Sequence, residues 1–456
     1  MDYEYKKTNY YATADEKELK AIFDYAEGYK KFLYTSKTER GATATAKKLA
    51  EEHGFKPYTF GDKIKAGDKL YFINRDKNIF LIRVGEKDIS KHGIKIMAAH
   101  VDSPRLDLKP NPVFVEGGMA YLKTHYYGGI KKYHWVTLPL SLQGVVVLKG
   151  GKKLDVCIGE DENDPVFYIS DLLPHLSQEQ YTKPLAKAIE AESLNAVFAT
   201  MPAANFESGK DAIKANALKL LHDKYGIEEK DFLTAELSLV PAGKPRDVGL
   251  DRSLIAAYGH DDKVCAYPEM TAIFESNTKD TVMAVFADKE ETGSDGVTGM
   301  QSRVILDLID CISHGLGADP VVVRYHSKCV SADVTSVYDP AYADVFEKRN
   351  VSHLNHGASL SKYHGSRGKN STNDASAETV GYLRDIFDEA GVVWQTGEIG
   401  KIDVGGGGTV AMYIANLGID TCDMGVPVLS MHAPHEVISK ADLYSMHKAM
   451  VAFCER

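Results

Sequence analysis

The second half of the chain alternates apolar runs of strand length with helical segments. The predicted strands are Thr281–Ala287, Val321–Val330 and Val410–Ala415, and the predicted helices are Val297–Ser313, Ala375–Ala390 and Ala441–Phe453. Strands that are separated by helices pair in parallel, because a helical crossover returns the chain to the same edge of the sheet. The pattern therefore predicts an α/β fold with a mixed, largely parallel sheet flanked by helices.

The first part of the chain has the same texture up to about residue 107. It contains predicted helices at Asp15–Lys31 and Thr43–His53 and predicted strands at Leu70–Asn74, Ile79–Val84 and Ile94–Ala99. From residue 108 onward, prolines and glycines punctuate short alternating segments, which is typical of β-rich structure. We predict that residues 1–107 and 246–456 form one α/β domain and that residues 108–245 form an inserted β-rich domain.

Acidic residues outnumber basic ones, and the formal net charge is −10. Nucleic-acid binding requires clustered cations that displace counterions, so no nucleic-acid partner is expected. No run of about 18 apolar residues occurs, and Met1–Tyr11 lacks the apolar core of a signal peptide. We therefore expect a cytoplasmic protein without a membrane partner. The six cysteines include no C-x-x-C pair, which argues against a thiolate zinc site.

Polar residues follow the predicted strand Ile94–Ala99. His100 and Asp102 are two positions apart, so they project to the same face of an extended chain. An imidazole that binds a metal commonly donates its second N–H to a carboxylate, which suits Asp102 as the support of His100. An ordinary histidine beside a surface aspartate is the alternative for this pair alone.

A second polar segment, GHDDKVC, begins a predicted helix that runs to Glu275. Aspartate at a helix start commonly caps the helix, and this explanation suits at least one of Asp261 and Asp262. A carboxylate held there can also bridge two cations, and Asp261 is the candidate for that role. Cys265 is a less suitable ligand because hard carboxylates surround it.

Glu290 and Glu291 follow the predicted strand Thr281–Ala287, at the edge where open α/β sheets bind ligands. Adjacent carboxylates repel each other, and Lys289 is the only cation nearby in the sequence. A turn eased by Gly293 would let the two side chains take different directions. We assign Glu291 as a metal ligand and Glu290 as the general base. An exposed acidic turn is the alternative.

Two further segments complete the pattern. Asp333 follows the predicted strand Val321–Val330, and His432 lies in MHAPHE, where His435 is the rival ligand. Three carboxylates and a bridging hydroxide would balance the charge of two divalent ions. Zinc accepts this mixture of nitrogen and oxygen ligands, and manganese or cobalt would also tolerate it. The predicted ligands are His100, Asp261, Glu291, Asp333 and His432.

The segments AAHVDSPRLDLKP, GHDDKVCAY, DKEETGSDGVTG, SADVTSVYDP and GVPVLSMHAPHE resemble the motifs of the aspartyl aminopeptidase family of co-catalytic zinc peptidases. The resemblance implies the same five metal ligands, with Asp261 bridging two zinc ions. It also implies that Glu290 is the base and that Asp102 supports His100. For the assembly, it implies that the inserted domain makes dimer contacts within a closed tetrahedral dodecamer.

Two substrate contacts are also implied by the resemblance. His175 lies in DLLPHLSQEQ, which is similar to a family segment whose histidine reaches the substrate of a neighbouring subunit. Lys362, Arg367 and Lys369 lie in LSKYHGSRGKNSTN, which resembles a loop near the side-chain pocket. A cation there would suit an acidic N-terminal residue. The alternatives are an ordinary histidine and a solvated basic loop.

The leading hypothesis is a metallo-aminopeptidase that removes the N-terminal residue of peptides, including Asp or Glu. A water that bridges two metal ions would attack the carbonyl, and Glu290 would pass its proton to the departing amine. A metal-dependent carboxypeptidase or an N-acyl amino acid deacylase is the enzymatic alternative. A metal-binding scaffold is the non-enzymatic alternative, which the presence of Glu290 beside the ligands argues against.

Overall fold

The computed structural model describes residues 3–204 and 210–456. Residues 1, 2 and 205–209, which fall within the predicted domains, lie outside the described residues. The chain divides into two units. The first contains residues 1–102, 245–431 and 436–456, and the second contains residues 103–244 and 432–435. The domain boundaries at residues 107 and 246 stay a prediction.

A nine-stranded sheet forms the centre of the first unit. In spatial order its strands are Lys56–Pro57, Lys69–Asn74, Asn78–Arg83, Thr281–Ala287, Ile94–His100, Lys328–Ser331, Asp420–Gly425, Ala358–Ser361 and Trp394–Thr396. The four strands from Thr281–Ala287 to Asp420–Gly425 pair in parallel, and antiparallel pairs flank them. The prediction of a mixed, largely parallel sheet is confirmed.

Helices cover both faces of this sheet. They are Tyr10–Thr13, Glu16–Thr35, Glu39–Glu52, Ile89–His92, His260–Glu275, Val304–Gly315, Pro320–His326, Ala377–Glu389, Ala411–Ala415 and Lys440–Glu455. Successive side chains of a strand point to opposite faces, and strand Ile94–His100 accordingly enters two cores. Met97 packs in the core that contains Phe286 and Phe453, whereas Ile96 packs in the core that contains Ile309. The strand that leads to His100 is therefore buried on both sides.

A smaller sheet of five strands completes the first unit. Its strands are Arg246–Val248, Leu254–Ala257, Glu436–Ser439, Pro427–Leu429 and Thr335–Ser336. Among the described residues, no helix has both the length and the apolar character that a membrane crossing requires.

Two strand predictions in the first unit are wrong. Residues predicted as strand Val321–Val330 form helix Pro320–His326 followed by the short strand Lys328–Ser331. Asp319 starts this helix, because its side chain accepts a hydrogen bond from the Val321 N–H and proline occupies the first helical position. Residues predicted as strand Val410–Ala415 form helix Ala411–Ala415 with Val410 at its N-cap. Val410 and Ile414 reach the same core at helical spacing.

The second unit is built on an antiparallel sheet of six strands. In spatial order they are Lys153–Ile158, Leu140–Val147, Ala235–Pro241, Arg105–Glu116, Met119–Tyr127 and Asn195–Ala199. Helix Lys210–Tyr225 and the short helices Gln178–Thr182 and Leu185–Ala188 accompany them. This sheet agrees with the predicted β-rich character of the region.

Candidate active site

Three predicted ligands of the first unit meet at the carboxyl ends of the central strands. One ligand atom from each of His100, Asp261 and Asp333 lies within 4.8 Å of the other two, and all three residues are buried. The Nε2 atom of His100 lies 3.1 Å from Oδ1 of Asp261 and 3.9 Å from Oδ1 of Asp333. One imidazole and two carboxylates at this spacing are a donor set that zinc accepts.

Strand register explains why His100 and Asp333 are neighbours. His100 ends its strand, and the adjacent parallel strand aligns Ser331 with Ala98. Asp333 therefore lies level with His100, two residues further along each chain segment. Paired strands rise by the same distance per residue, so the position of Asp333 beside His100 can be predicted once the strand pairing is known.

Asp261 lies in the first turn of helix His260–Glu275, where Asp261 and Asp262 have non-helical dihedral angles. The backbone N–H of Asp261 donates to Oε2 of Glu436 at 3.0 Å. Oδ2 of Asp262 accepts a hydrogen bond from the backbone N–H of His100 at 3.3 Å. Asp262 therefore fastens the helix start to the strand end that carries His100.

Glu290 and Glu291 begin a single 3-10 turn between two residues with left-handed backbone, Lys289 at φ 73° and Gly293 at φ 95°. The turn brings both carboxylates to the cluster. One oxygen of Glu291 lies within 4.8 Å of an Asp261 oxygen. Oε2 of Glu290 lies 3.9 Å from Nε2 of His100.

Asp102 contacts both His100 and the turn that carries Glu290 and Glu291. The Nδ1 atom of His100 lies 3.3 Å from Oδ1 of Asp102 and 3.0 Å from its backbone carbonyl oxygen. The Asp102 carboxylate also accepts the backbone N–H groups of Glu290 and Glu291, each at 3.2 Å. The sequence predicts the contact with His100 but gives no sign of the contact with the turn.

The electrostatics of the cluster favour added positive charge. Burial opposes protonation of His100, but the carboxylates of Asp102 and Asp261 outweigh it and raise the pKa of His100 well above its usual range. Burial and the neighbouring carboxylates also raise the pKa of Asp333. A site that holds a proton on a histidine between carboxylates fits a metal ion, which displaces that proton when it binds.

Two residues near the cluster were not predicted from the sequence, Glu436 and Lys263. Glu436 is almost fully buried, and its carboxylate accepts the backbone N–H of Asp261. Its position four residues after His432 is the only sequence signal for it. Lys263 is fully buried, and burial lowers its pKa although several carboxylates oppose this change. Its place directly after Asp261 and Asp262 in the segment GHDDKVC is the corresponding signal.

The remaining predicted site residues are His432, His175 and the lysines of the basic loop. His432 belongs to the second unit, where its Nδ1 lies 2.8 Å from the carbonyl oxygen of Gly129. His175 is exposed in the second unit, in the short turn Pro174–Leu176. Lys362 and Lys369 both pair with Asp374, at 3.2 Å and 2.8 Å. The roles of all these residues stay predictions.

Known proteins identify the chain. Residues 32–454 match a family model described as "Aminopeptidase I zinc metalloprotease (M18)". The chain belongs to the M18 family of zinc aminopeptidases. This M18 aminopeptidase is 45% identical over 459 residues to a probable M18 family aminopeptidase 1 of Clostridium acetobutylicum, covering 99% of the chain and 98% of that protein.

Solved structures agree with this identification. The crystal structure of an M18 aminopeptidase from Thermotoga maritima matches with a TM-score of 0.94 and 40% identity, and covers 99% of this chain and 100% of that one. The crystal structure of aminopeptidase I from Clostridium acetobutylicum matches with a TM-score of 0.93 and 41% identity, at 99% and 100% coverage. The predicted family and the predicted aminopeptidase activity are both confirmed.

Proposed function

We propose that this M18 aminopeptidase holds two divalent metal ions and uses Glu290 as its general base to release single N-terminal residues from peptides. The proposed ligands are His100, Asp261, Glu291, Asp333 and His432, and Asp261 is the bridge. The convergence of His100, Asp261 and Asp333 within 4.8 Å carries the proposal. When bound, such ions lower the pKa of water and polarise a carbonyl.

Glu290 has the position that a general base needs. Its side chain is 20% exposed, whereas the His100 side chain is 2% exposed. Glu290 is therefore close to the proposed metal ligands and also accessible to a substrate. Its carboxylate takes a proton from the attacking water and gives it to the leaving amine nitrogen. The hydrogen bond from the Glu290 backbone to Asp102 holds the base in place.

The number and identity of the ions also belong to this proposal. An Asp261 oxygen lies close to His100 and Asp333, and one also lies close to Glu291, which supports a shared ligand between two ions. The family description supports zinc. Manganese and cobalt accept the same donors, so reconstitution with each metal should accompany the activity assays.

The basic loop supports a preference for acidic N-terminal residues. Lys362 and Lys369 share the single carboxylate of Asp374, which leaves the group positively charged. Release rates for aspartyl, glutamyl, alanyl and leucyl anilides test this preference. The Lys362→Met substitution should lower kcat/KM more for the acidic substrates than for the neutral ones. The control substitution Lys401→Met changes an exposed lysine outside the loop and should leave kcat/KM unchanged for both classes of substrate.

We further propose that residues 1–107 and 246–456 form the catalytic domain and that residues 108–245 form a dimerisation domain within a homo-oligomer. A solved structure of the S. cerevisiae mApe1 dodecamer shares the fold, with a TM-score of 0.76 and 20% identity, and it motivates a tetrahedral dodecamer built from dimers. His175 of one subunit would then reach the substrate of a neighbour. Light scattering measures the assembly, and mixing inactive Glu290→Gln subunits with His175→Ala subunits tests whether the two complement each other.

Dependence on a free amine tests the exopeptidase reaction. An aminopeptidase should hydrolyse amino-acid anilides and leave their N-acetylated versions intact, because the free amino group is part of what it recognises. Equal hydrolysis of both would favour the deacylase alternative. Family membership argues against the carboxypeptidase and scaffold alternatives. A cytoplasmic location stays a prediction.

A further inference from the structure

A cavity of about 510 Å³ in the first unit is lined by more cations than carboxylates. Its charged lining residues are Lys87, Lys91, Lys95, Lys328 and Arg456, with the carboxylates of Asp280 and Asp420. Lys91 and Arg456 also pair with Asp88 and Glu389, so the cations that matter most here are Lys87, Lys95 and Lys328. This local group of cations contrasts with the formal net charge of −10 of the whole chain. A concave surface with one dominant sign of charge concentrates ligands of the opposite sign.

The cavity lies at the amino ends of the strands whose carboxyl ends carry the active site. Lys95 is the second residue of strand Ile94–His100, and Lys328 is the first residue of the neighbouring strand. Asp280 directly precedes strand Thr281–Ala287. Five residues of extended chain separate Lys95 from His100, a span of about 17 Å. The cavity is therefore separate from the proposed metal centre.

Asp280 is the buried acid of this cavity, and two lysines share it. The Nζ atoms of Lys87 and Lys95 lie 3.0 Å and 2.8 Å from the Asp280 carboxylate. One carboxylate cannot neutralise two ammonium groups. Burial lowers the pKa of Lys95 below its usual range, although Asp280 opposes this change. A buried ammonium with incomplete compensation favours binding of an additional anion.

Lys328 and the aromatic residues form another wall. The Nζ atom of Lys328 lies 3.3 Å from Asp420 and 5.0 Å from the ring centroid of Tyr382. Tyr325, which also lines the cavity, is 76% exposed. The volume falls in the range of about 300–1,000 Å³ that is usual for small-molecule sites, and lysine recognises phosphate as a point charge.

We propose that this cavity binds a small phosphate-bearing anion with two or more negative charges. Lys87 and Lys95 contact one phosphate group, and Lys328 contacts the other. A bisphosphate therefore binds more tightly than orthophosphate, because it meets both sets of cations. If a nucleotide is the ligand, the Tyr325 ring is available to pack against its base.

Equilibrium dialysis of the zinc-loaded enzyme with radiolabelled orthophosphate, fructose 1,6-bisphosphate and ATP tests this site. Fructose 1,6-bisphosphate is the main probe because it binds zinc weakly and leaves the metal centre loaded. We expect one probe per chain, bound at least about tenfold more tightly than orthophosphate, as expected for an added charged contact. ATP binding above the fructose 1,6-bisphosphate level would assign the site to nucleotides, and equal binding would assign it to phosphate groups alone.

Charge reversal identifies the cavity as the site. Lys87→Glu and Lys328→Glu should each weaken binding of the bisphosphate by about tenfold or more. The matched variant Lys63→Glu, on an exposed lysine outside the cavity, should retain wild-type affinity. Anilide hydrolysis by each variant reports that the enzyme is folded, and it keeps this test separate from the proposed metal chemistry. Absence of saturable binding to the wild-type enzyme, or equal weakening by Lys63→Glu, would overturn the proposal.

Discussion

Oδ2 of Asp102 lies 3.2 Å from the backbone nitrogen of Glu291 and accepts its hydrogen bond. The other carboxylate oxygen accepts from the backbone of Glu290 at the same distance. Because Asp102 also lies against Nδ1 of His100, one side chain fixes the strand end with the histidine to the turn with the proposed base. Substitution of Asp102 should therefore disturb both the proposed metal ligand His100 and the proposed base Glu290.

We expect Asp102→Asn to lower zinc affinity and kcat, each by roughly 10- to 100-fold. The amide nitrogen of asparagine cannot accept a backbone hydrogen bond, and the charge beside His100 is lost. Asp442→Asn is the matched control, since buried Asp442 likewise accepts the backbone N–H groups of Asn355 and Gly357 at 2.9 Å and 2.7 Å. It should lose stability and keep kcat. Unchanged zinc affinity and kcat in Asp102→Asn would contradict the supporting role.

Asp247 anchors a cluster of three cations, and its loss should destabilise the first unit. Its carboxylate lies 3.0 Å from both Lys30 and Lys440 and 2.7 Å from Arg252, and the Lys440 side chain is 1% exposed. Asp247→Asn leaves this buried ammonium without its charged partner, so urea denaturation should show a loss of about 3–5 kcal/mol in the free energy of unfolding. Asp385→Asn, in an exposed ion pair, should have almost no effect. Equal stability of the two variants would disprove this role.

Asp442 should make stability depend on pH. Burial raises its pKa to about 8, although two backbone N–H groups oppose the shift. A carboxyl group with a raised pKa in the folded state stabilises the fold at low pH, and this contribution is lost as the pH rises from about 4 to about 8. The stability of the wild type relative to Asp442→Asn should therefore fall over that interval, by up to about 1.4 kcal/mol per pH unit. A difference that stays constant from low to high pH would exclude the effect.

Strand ends were the most predictable part of this protein. The apolar runs before His100 and Glu290 are unambiguous strands, and parallel pairing brings their ends to one edge of the sheet. The run from Val321 predicts a strand because valine favours strands. Asp319 caps a helix there instead, and this capping is a local signal in the sequence. Local capping outweighed strand propensity at this position.

Contacts between distant segments were less predictable. Glu436 meets the backbone of Asp261 only because strand Glu436–Ser439 pairs with the strand that precedes Asp261. The charge of the cavity around Lys95 also arises from segments far apart in the sequence. Residue spacing and composition do not predict such contacts between distant segments.

The metal content and the turnover of a single Glu290→Gln preparation test the central claim most directly. The account predicts that this variant keeps two divalent ions per chain and loses about 10²- to 10⁴-fold in kcat, because glutamine cannot move the proton. Asp295→Asn, an exposed acid five residues away, should keep both ions and full turnover. Near wild-type turnover of Glu290→Gln with its metals in place would contradict the account.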